Sequence, residues 1–199
     1  MRLTTLDVVN DCLSTMGETP LNSIQADHPL VASALKLLRE ANSRIQASGW
    51  WFNREVVELT PDTRTNNILL PTDFLAVDPQ DRQNRYTQRG KRLYDLDTQS
   101  VTFEKSVAVA MIRLIPFEDL PWTAQDLVRG ATLIRFLESY DADELRIQQV
   151  TTDYAMAYQA TMTEHTRFVK PNILSQGGVA RRRGAIRVTG GNHRGLRRY

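Results

Sequence analysis

Carboxylate pairs are the residues of this chain whose types and spacing come closest to those of an active site. The pairs are Asp95 with Asp97, Glu55 with Glu58, Glu118 with Asp119, and Asp141 with Asp143. A glycoside hydrolase needs two carboxyl groups roughly 5 to 10 Å apart across its sugar site. Because the chain has 23 acidic residues, some pairs meet that spacing by chance. Helix capping is the alternative for the last pair, and a solvated strand face is the alternative for Glu55 and Glu58.

Histidine, cysteine and glycine show no spacing that is typical of catalysis or metal binding. His28, His165 and His193 have no Cys, Asp or Glu at ligand spacing on a shared helix face. The single Cys12 lies on an apolar helix face, which indicates a buried small side chain rather than a nucleophile. No phosphate-binding loop or nucleophile elbow is found. We therefore predict no catalytic residue, no cofactor and no metal ion, and we predict that the chain is not an enzyme.

The C-terminal segment carries the strongest charge signal. Residues 165–199 hold nine basic residues and no acid, and since the whole chain carries +2, the segment 1–164 carries −7. Six glycines in the segment 177–199 predict a flexible region that becomes ordered on an acidic partner. It could bind DNA phosphates, dock on an acidic protein surface, or serve solubility alone. The predicted partner-binding residues are Arg181, Arg182, Arg183, Arg187, Arg194, Arg197 and Arg198.

Two helices at the N-terminus are predicted from apolar residues at spacings of three and four. The first spans 5–16, with Thr4 and Asp7 as a capping box and Gly17 at its C-terminal stop. The second spans 29–48, with Pro29 in its first turn. Core packing is the expected use of both stripes, and a coiled-coil seam to a partner is the alternative. The stripes are Leu6, Val9, Leu13 and Met16, then Val31, Ala34, Leu38, Ala41 and Ile45.

Beyond Trp51 the hydrophobic period changes toward two, and it returns to helical spacing after Pro121. Residues 52–117 therefore read as strands, including a hairpin that turns at Gly90. Helices are predicted again at 122–140 and 142–168, with Pro121 at the first helical position and Asp141 and Glu144 as a capping box. Their apolar stripes are Leu127, Ala131, Ile134 and Leu137, then Ile147, Val150, Tyr154, Ala157 and Thr161.

These elements predict an α+β fold: a four-helix bundle interrupted by an inserted antiparallel β module, with a flexible basic C-terminal tail. The predicted domains are 1–50 and 120–170 for the bundle, 51–119 for the β module and 171–199 for the tail. At the boundary lie Trp50, Trp51 and Phe52. We interpret them as a hydrophobic hinge between bundle and module, or as a contact between subunits, because Trp is favoured at interface centres.

Three blocks, in this order, resemble the tail tubular protein A family of short-tailed bacteriophages, also called head-to-tail adaptors or gatekeepers. The blocks are Val9–Leu21 with its Gly-Glu-x-Pro stop, Ser43–Asn53 with Gly-Trp-x-Phe-Asn, and Leu93–Pro121 with a Tyr-Asp turn, an Ile-Arg-Leu strand end and an acidic pair. The Arg/Gly tail departs from the family pattern. The resemblance implies a structural virion protein that forms a dodecameric ring between the portal protein and the tail nozzle protein, around a channel through which genomic DNA is ejected.

Two other functions stay open from the sequence. One is a glycan-degrading tail component, since phage tails meet bacterial surface glycans. The other is a nucleic-acid-binding protein that acts through its Arg-rich tail. No stretch approaches the roughly 20 apolar residues of a membrane span, and no signal peptide is evident. We therefore expect no membrane insertion, synthesis in the bacterial host cytoplasm, and a final location in the virion tail.

Overall fold

In residues 2–25, 28–81 and 83–169, which the computed structural model describes, four α-helices and five β-strands follow one another, with all strands between the second and third helices. The helices are α1 (Thr5–Thr15), α2 (Pro29–Gln46), α3 (Trp122–Ser139) and α4 (Glu144–Val169), with a 3₁₀ helix (Phe117–Asp119) before α3. The strands are β1 (Arg54–Leu59), β2 (Phe74–Pro79), β3 (Tyr86–Arg89), β4 (Arg92–Asp95) and β5 (Val107–Arg113). Helices together with antiparallel sheets confirm the α+β class, and the predicted and observed helix bounds agree closely. The grouping into one four-helix bundle stays a prediction.

Helix α1 begins and ends close to the predicted residues. The Thr4 hydroxyl accepts a hydrogen bond from the N–H of Asp7, whose carboxylate accepts one from the N–H of Thr4, so the predicted capping box is confirmed. Gly17 follows the helix with φ of 78°, a conformation that favours glycine. The N–H of Glu18 then donates to the carbonyl of Leu13 at 3.0 Å, as a Schellman motif requires.

Helix α3 is buried on most of its circumference. It packs against α1 and α2, and its Leu127 contacts Ala157 of α4. The predicted stripe was therefore too narrow: Leu127 and Leu137 are buried and Ala131 and Ile134 half-buried, but residues outside the stripe are buried too. The reason is that neighbours lie on several sides of this helix. Its buried residues are Ala124, Gln125, Leu127, Val128, Gly130, Thr132, Leu133, Phe136 and Leu137.

The helical core has two adjoining clusters that use the predicted stripes of α1 and α2. Each cluster takes residues from α1, α2 and α3, so core packing is the observed use of these stripes. One contains Val8, Leu38, Ala41, Phe117, Leu120, Ala124 and Val128. The other contains Val9, Cys12, Leu13, Val31, Ala34, Leu133 and Phe136.

Strand β5 is the centre of a three-stranded antiparallel sheet in the order β1–β5–β2. Its register places Val56 of β1 opposite Ala110 of β5. Strands β3 and β4 form a separate hairpin, which turns at Gly90 as predicted. The core of this region joins the sheet to the hairpin and contains Ile68, Leu70, Leu93, Phe103, Val109 and Met111.

The position of Pro121 before α3 and the start of α4 differ from the prediction. Helix α3 begins at Trp122, the first residue of the predicted range 122–140, so Pro121 occupies the N-cap rather than the first helical position. The predicted capping box of Asp141 and Glu144 is wrong, since Asp141 lies in the preceding turn at φ of 48°. Asp143 takes the position before α4 instead, and its carboxylate accepts a hydrogen bond from the N–H of Leu145 at 3.4 Å.

The apolar stripe predicted for α4 is confirmed. Ala157 and Thr161 are buried, and Ile147, Val150 and Tyr154 are half-buried. The chain divides after His165 into two units, and the contacts discussed below lie within the first.

Candidate functional site

Three side-chain amides each bind both the backbone N–H and the backbone carbonyl of one distant residue. We call this arrangement an amide clamp. Each amide lies on a helix, and each partner lies in a connecting or terminal segment. The amide satisfies the backbone N–H and carbonyl of its partner, as a neighbouring strand would, and so holds that segment against the helix. The clamps join Asn10 to Leu21, Gln46 to Ile115 and Gln125 to Leu3, at distances between 2.8 and 3.2 Å.

The Gln46 clamp belongs to a buried polar junction between the helices and the sheet. The Gln46 amide nitrogen also donates to the side chain of Asn42 at 2.7 Å. Asn53 completes the junction: its amide nitrogen donates to the carbonyls of Gln46 at 3.0 Å and Arg113 at 2.9 Å. Its side-chain oxygen accepts from the N–H of Trp50 at 2.8 Å. Because Gln46 and Asn53 are fully buried and bonded, they fix how the end of α2 meets the end of β5.

Gly49 makes the close approach at this junction possible. Its φ is 75°, and a Cβ atom there would lie 2.8 Å from Cδ1 of Ile112. Only glycine therefore allows the turn after α2 to lie directly on the sheet.

Trp50 is packed within the chain. It is 6% exposed and contacts Leu127 of α3 and Ala157 of α4. Its indole N–H donates to the carbonyl of Ile45 at 2.8 Å, which satisfies the polar edge of the ring. Its ring also meets that of Tyr158 edge-on, with centroids 6.3 Å apart. Trp50 therefore connects α2, α3 and α4 directly before the sheet begins.

Trp51 and Phe52 are half-buried beside Trp50. Their rings contact each other edge-on, with centroids 5.0 Å apart. The N–H of Trp51 donates to Nδ1 of His165 at 3.2 Å, and the imidazole lies against the Trp50 ring. The three predicted hinge or interface residues are thus brought together with α4, and their use as a hinge or as a contact between subunits stays a prediction.

Arg113 holds the three strands together at the edge of the junction. Its Nε and Nη2 atoms donate to one carboxylate oxygen of Asp73, at 3.0 and 2.7 Å, and Nη1 lies 3.4 Å from a carboxylate oxygen of Glu55. Hydrogen bonding to the guanidinium lowers the pKa of Asp73. This group joins β5 to the start of β1 and to the residue before β2.

The candidate carboxylate pairs have local roles. Glu55 and Glu58 are three residues apart on β1, so their side chains leave opposite faces of the strand. The Asp95 carboxylate accepts from the N–H of Asp97 at 2.8 Å, within the turn after β4. Such roles do not place two carboxyl groups across a common cleft.

Three further acids of the candidate pairs lie beside helix termini. Glu118 accepts from the N–H of Thr5 at 3.0 Å, at the start of α1. Asp141 and Asp143 lie in the turn before α4.

Every carboxyl group whose pKa departs from its ordinary value, among the described residues, has that pKa lowered. Backbone N–H groups cause this at Asp7 and Glu118, through Thr4 and Thr5 respectively. At Asp95 burial raises the pKa, but hydrogen bonds from the following turn outweigh it. The general acid of a glycoside hydrolase needs the opposite shift. The affected residues are Asp7, Asp62, Asp73, Asp95 and Glu118.

His28 and Cys12 also have structural roles. His28 caps α2, where its Nδ1 accepts from the N–H of Leu30 at 3.3 Å. Burial raises the pKa of Cys12 to about 12, so its thiol stays protonated. Within residues 2–25, 28–81 and 83–169, no group of three His, Cys, Asp or Glu side chains is arranged to hold a metal ion. His193 lies outside the described residues.

Two clefts flank α4 on the helical side of the molecule. One, of about 460 Å³, lies between α2, α3 and α4, with apolar walls that include Ile45, Ile134 and Tyr158. The other, of about 390 Å³, lies between α1, α3 and α4 and is polar, with Arg129 ion-paired to Asp11 at its edge. Neither cleft is filled by the described residues of this chain.

The predicted arginine site lies outside the described residues, which end at 169. The structure therefore gives no position for Arg181 or for the six other arginines of the tail. As for the membrane, none of the described helices has the length and apolar content that a crossing requires.

Sequence reasoning missed the amides of the junction. A signal was present in α2, where Asn42 and Gln46 are one turn apart beside the apolar stripe. Asn53 ends the Gly-Trp-x-Phe-Asn block, and nothing in the local pattern indicates a role for its amide. The backbone partners of these amides lie on distant parts of the chain, Ile115 for Gln46 and Arg113 for Asn53, and no local pattern reveals them.

Comparison with known proteins agrees with the family resemblance. The sequence profile of the Tube family, described as tail tubular protein, matches residues 6–176. A curated relative, tail tubular protein A of Klebsiella phage KP34, is 32% identical over 116 residues, which cover 58% of this chain. That match spans 62% of the relative's length. Because the profile includes residues of all four helices and of both sheets, the chain belongs to the tail tubular protein family and is a structural protein of a phage tail.

Proposed function

We propose that this chain is a subunit of the adaptor ring that joins the portal to the tail nozzle and continues the DNA-ejection channel. The observation that carries the proposal is the family match over residues 6–176. The family resemblance implies a ring of twelve copies. Contacts in such a ring are heterologous, so that each copy offers two different surfaces to its two neighbours.

The junction supports this role because a ring subunit must keep one shape while it bears load. Gln46 and Asn53 fix the sheet to the helices through buried hydrogen bonds, and Arg113 holds the strands of the sheet together through charge-assisted bonds. We propose that residues 1–50 and 120–170 act as one four-helix bundle and that 51–119 act as a module inserted into it. The Trp50–Trp51–Phe52 cluster then lies at the boundary of the two.

The charge distribution supports passage of DNA through the ring. The segment 1–164 carries −7, and a channel wall of the same sign as DNA does not retain it. The same charge opposes ring closure by repulsion between copies, most strongly at low salt. We therefore propose that the ring depends on the portal and that free protein is monomeric or weakly associated.

The basic tail, 171–199, is proposed to bind an acidic protein surface, on the portal or on a neighbouring copy. Its arginines suit this role because guanidinium groups form bidentate, charge-assisted bonds with carboxylates. Deletion of residues 177–199 should weaken association with the portal, and the difference should fade as salt rises. If the truncated chain docks on the portal as tightly as the full chain but loses affinity for duplex DNA, the tail binds DNA instead.

Electron microscopy of the purified chain with its portal tests the proposed function. We expect closed rings seated on the portal, and no stable ring from the chain alone at low salt. Failure of the chain to bind the portal under any salt condition would refute the adaptor role. A stable ring at low salt without the portal would refute the partner dependence alone.

A further inference from the structure

Helix α4 has an outer face that is exposed and uncharged. Its residues follow one another at spacings of three and four and lie opposite the buried stripe of the helix. At about 1.5 Å per residue the face is roughly 27 Å long. Two of its members are large and apolar, Leu145 and Met156, which are 67% and 65% exposed. The outer face of α4 consists of Leu145, Gln148, Thr152, Met156, Gln159 and Thr163.

The exposed side of α2 differs from the outer face of α4 in its charge. Of its six exposed residues, four are charged, as expected for a helix that faces water. They are Lys36, Arg39, Glu40 and Arg44. The outer face of α4 instead lacks charged residues and exposes a Met side chain, a composition that is typical of the core of a protein interface. The exposed residues of the two helices therefore differ in the surroundings that their composition suits.

The packing of α4 leaves room for a partner. Although α4 has 26 residues, Ala157 and Thr161 are its only buried ones. The clefts of about 460 and 390 Å³ on its two sides are open to side chains from another molecule. A partner that covers the outer face and enters one cleft would bury more area than the narrow face alone provides, as a stable interface requires.

We infer that a second copy of this chain docks on the outer face of α4. Copies that each carry −7 over the segment 1–164 repel one another wherever acidic surfaces meet. At an uncharged face, two such copies make contact without this electrostatic repulsion. A basic partner would bind most favourably to the acidic surfaces of the chain, and electrostatics would not direct it to the uncharged outer face of α4. The inference rests on the proposed ring and names the surface at which its subunits meet.

Photo-crosslinking from Met156 tests the inference in the assembled particle. A photoreactive amino acid replaces Met156 in the full-length chain during phage production, and purified virions are then irradiated. Ala32, which is exposed on the charged side of α2, is the matched control position. We expect a product of twice the chain's mass from position 156, and only background from position 32.

The outcomes separate the inference from the proposed function. A crosslink from position 156 to another virion protein or to DNA, or no crosslink, would overturn the inference while a ring seen in the same virions keeps the proposed function. Virions whose portal lacks a ring of this chain would refute the proposed function itself.

Charge insertion supplies a second measurement that does not depend on crosslinking chemistry. Thr152→Glu adds one negative charge to the outer face, and Ala32→Glu adds the same charge to the exposed side of α2. We expect the Thr152→Glu chain to enter virions about tenfold less than wild type, because like charges across a contact oppose association. The Ala32→Glu chain should enter as wild type does. Equal incorporation of both variants, with both folded by circular dichroism, would overturn the inference.

Discussion

The junction and the outer face of α4 use uncharged polar residues in opposite ways. At the junction, the amides of Gln46 and Asn53 are fully buried, and each of their polar atoms has a partner within the chain. On the outer face, Gln148, Thr152 and Gln159 are exposed on a helix that buries little of its own surface. At the junction, uncharged polar side chains thus form hydrogen bonds within the chain. On the outer face of α4, such side chains are exposed and accessible to a partner.

This difference separates the residues that give the chain its shape from the face that we propose for assembly. A buried and fully bonded amide specifies one arrangement, since any alternative leaves it unsatisfied. An exposed uncharged face adds little to the stability of the isolated chain, and we propose that contact with a second copy accounts for its composition. Substitutions in the first region should therefore change folding, and substitutions in the second should change assembly.

The largest effect on folding is expected from Asn53→Ala. The change removes hydrogen bonds to Trp50, Gln46 and Arg113 and leaves their backbone groups buried without these partners. We expect the free energy of unfolding to fall by about 3 kcal/mol, measured by urea denaturation. Gln148→Ala, which removes an exposed amide from α4, is the control and should change it by less than about 0.5 kcal/mol. Equal losses of unfolding free energy from the two changes would contradict the distinction between the junction and the outer face of α4.

A smaller effect is expected where α4 rests on α3. A Cβ atom at Gly130 would lie 3.3 Å from Cβ of Tyr154, so Gly130→Val forces the two helices apart. We expect a loss of about 2 kcal/mol from this overpacking. Hydrogen exchange should accelerate in α4 and stay unchanged at the junction. Ala160→Val on the exposed side of α4 is the control, and acceleration at the junction would show that the two regions are not independent.

The Asn10 clamp should contribute less, because it is only partly buried. Its amide accepts from the N–H of Leu21 at 2.8 Å and donates to the carbonyl of Leu21 at 2.9 Å. Asn10→Ala should cost about 1 kcal/mol and accelerate hydrogen exchange in the segment after α1. If unfolding free energy and exchange both match wild type, the clamp has no energetic role.

The smallest expected effect is the acid dependence of the Asp73–Arg113 pair, which lies near the surface. Since hydrogen bonding to Arg113 lowers the pKa of Asp73 in the folded chain, its contribution to stability is complete above the unfolded pKa of about 3.9. It is lost as pH falls through the folded pKa. Melting temperature measured between pH 6 and pH 2.5 should therefore fall less steeply below pH 4 for Asp73→Asn than for wild type. Parallel curves would show that the pair does not couple to folding.

Local signals were enough to predict most elements of the fold. Thr4 and Asp7 begin α1, Gly17 ends it, and Gly90 turns the hairpin, because each acts on a few neighbouring residues. The wrong prediction of Asp141 as the cap of α4 also has a local cause. Asp141 and Asp143 both lie within three residues of the start of α4, and the capping-box pattern fits Asp141 although Asp143 is the residue before the helix.

What the sequence could not predict depends on contacts between distant segments. The full burial of Gln125 requires α3 to be covered on several sides, and no stripe on α3 itself reveals this. The role of Asn53 requires β5 to end beside α2, a contact between segments far apart in the chain. Resemblance to a family indicated a structural protein of a phage tail, while the residues that give the chain its shape were found only in the structure.

A cryo-electron microscopy map of the virion tail tests the central claim most directly. The account predicts a closed ring between portal and nozzle, with residues 2–169 fitting each subunit and the outer face of α4 buried against the neighbouring copy. A ring in which Met156 and Thr152 face solvent or the DNA channel would contradict the assignment of this surface. A tail in which this chain forms no ring at the portal would contradict the account as a whole.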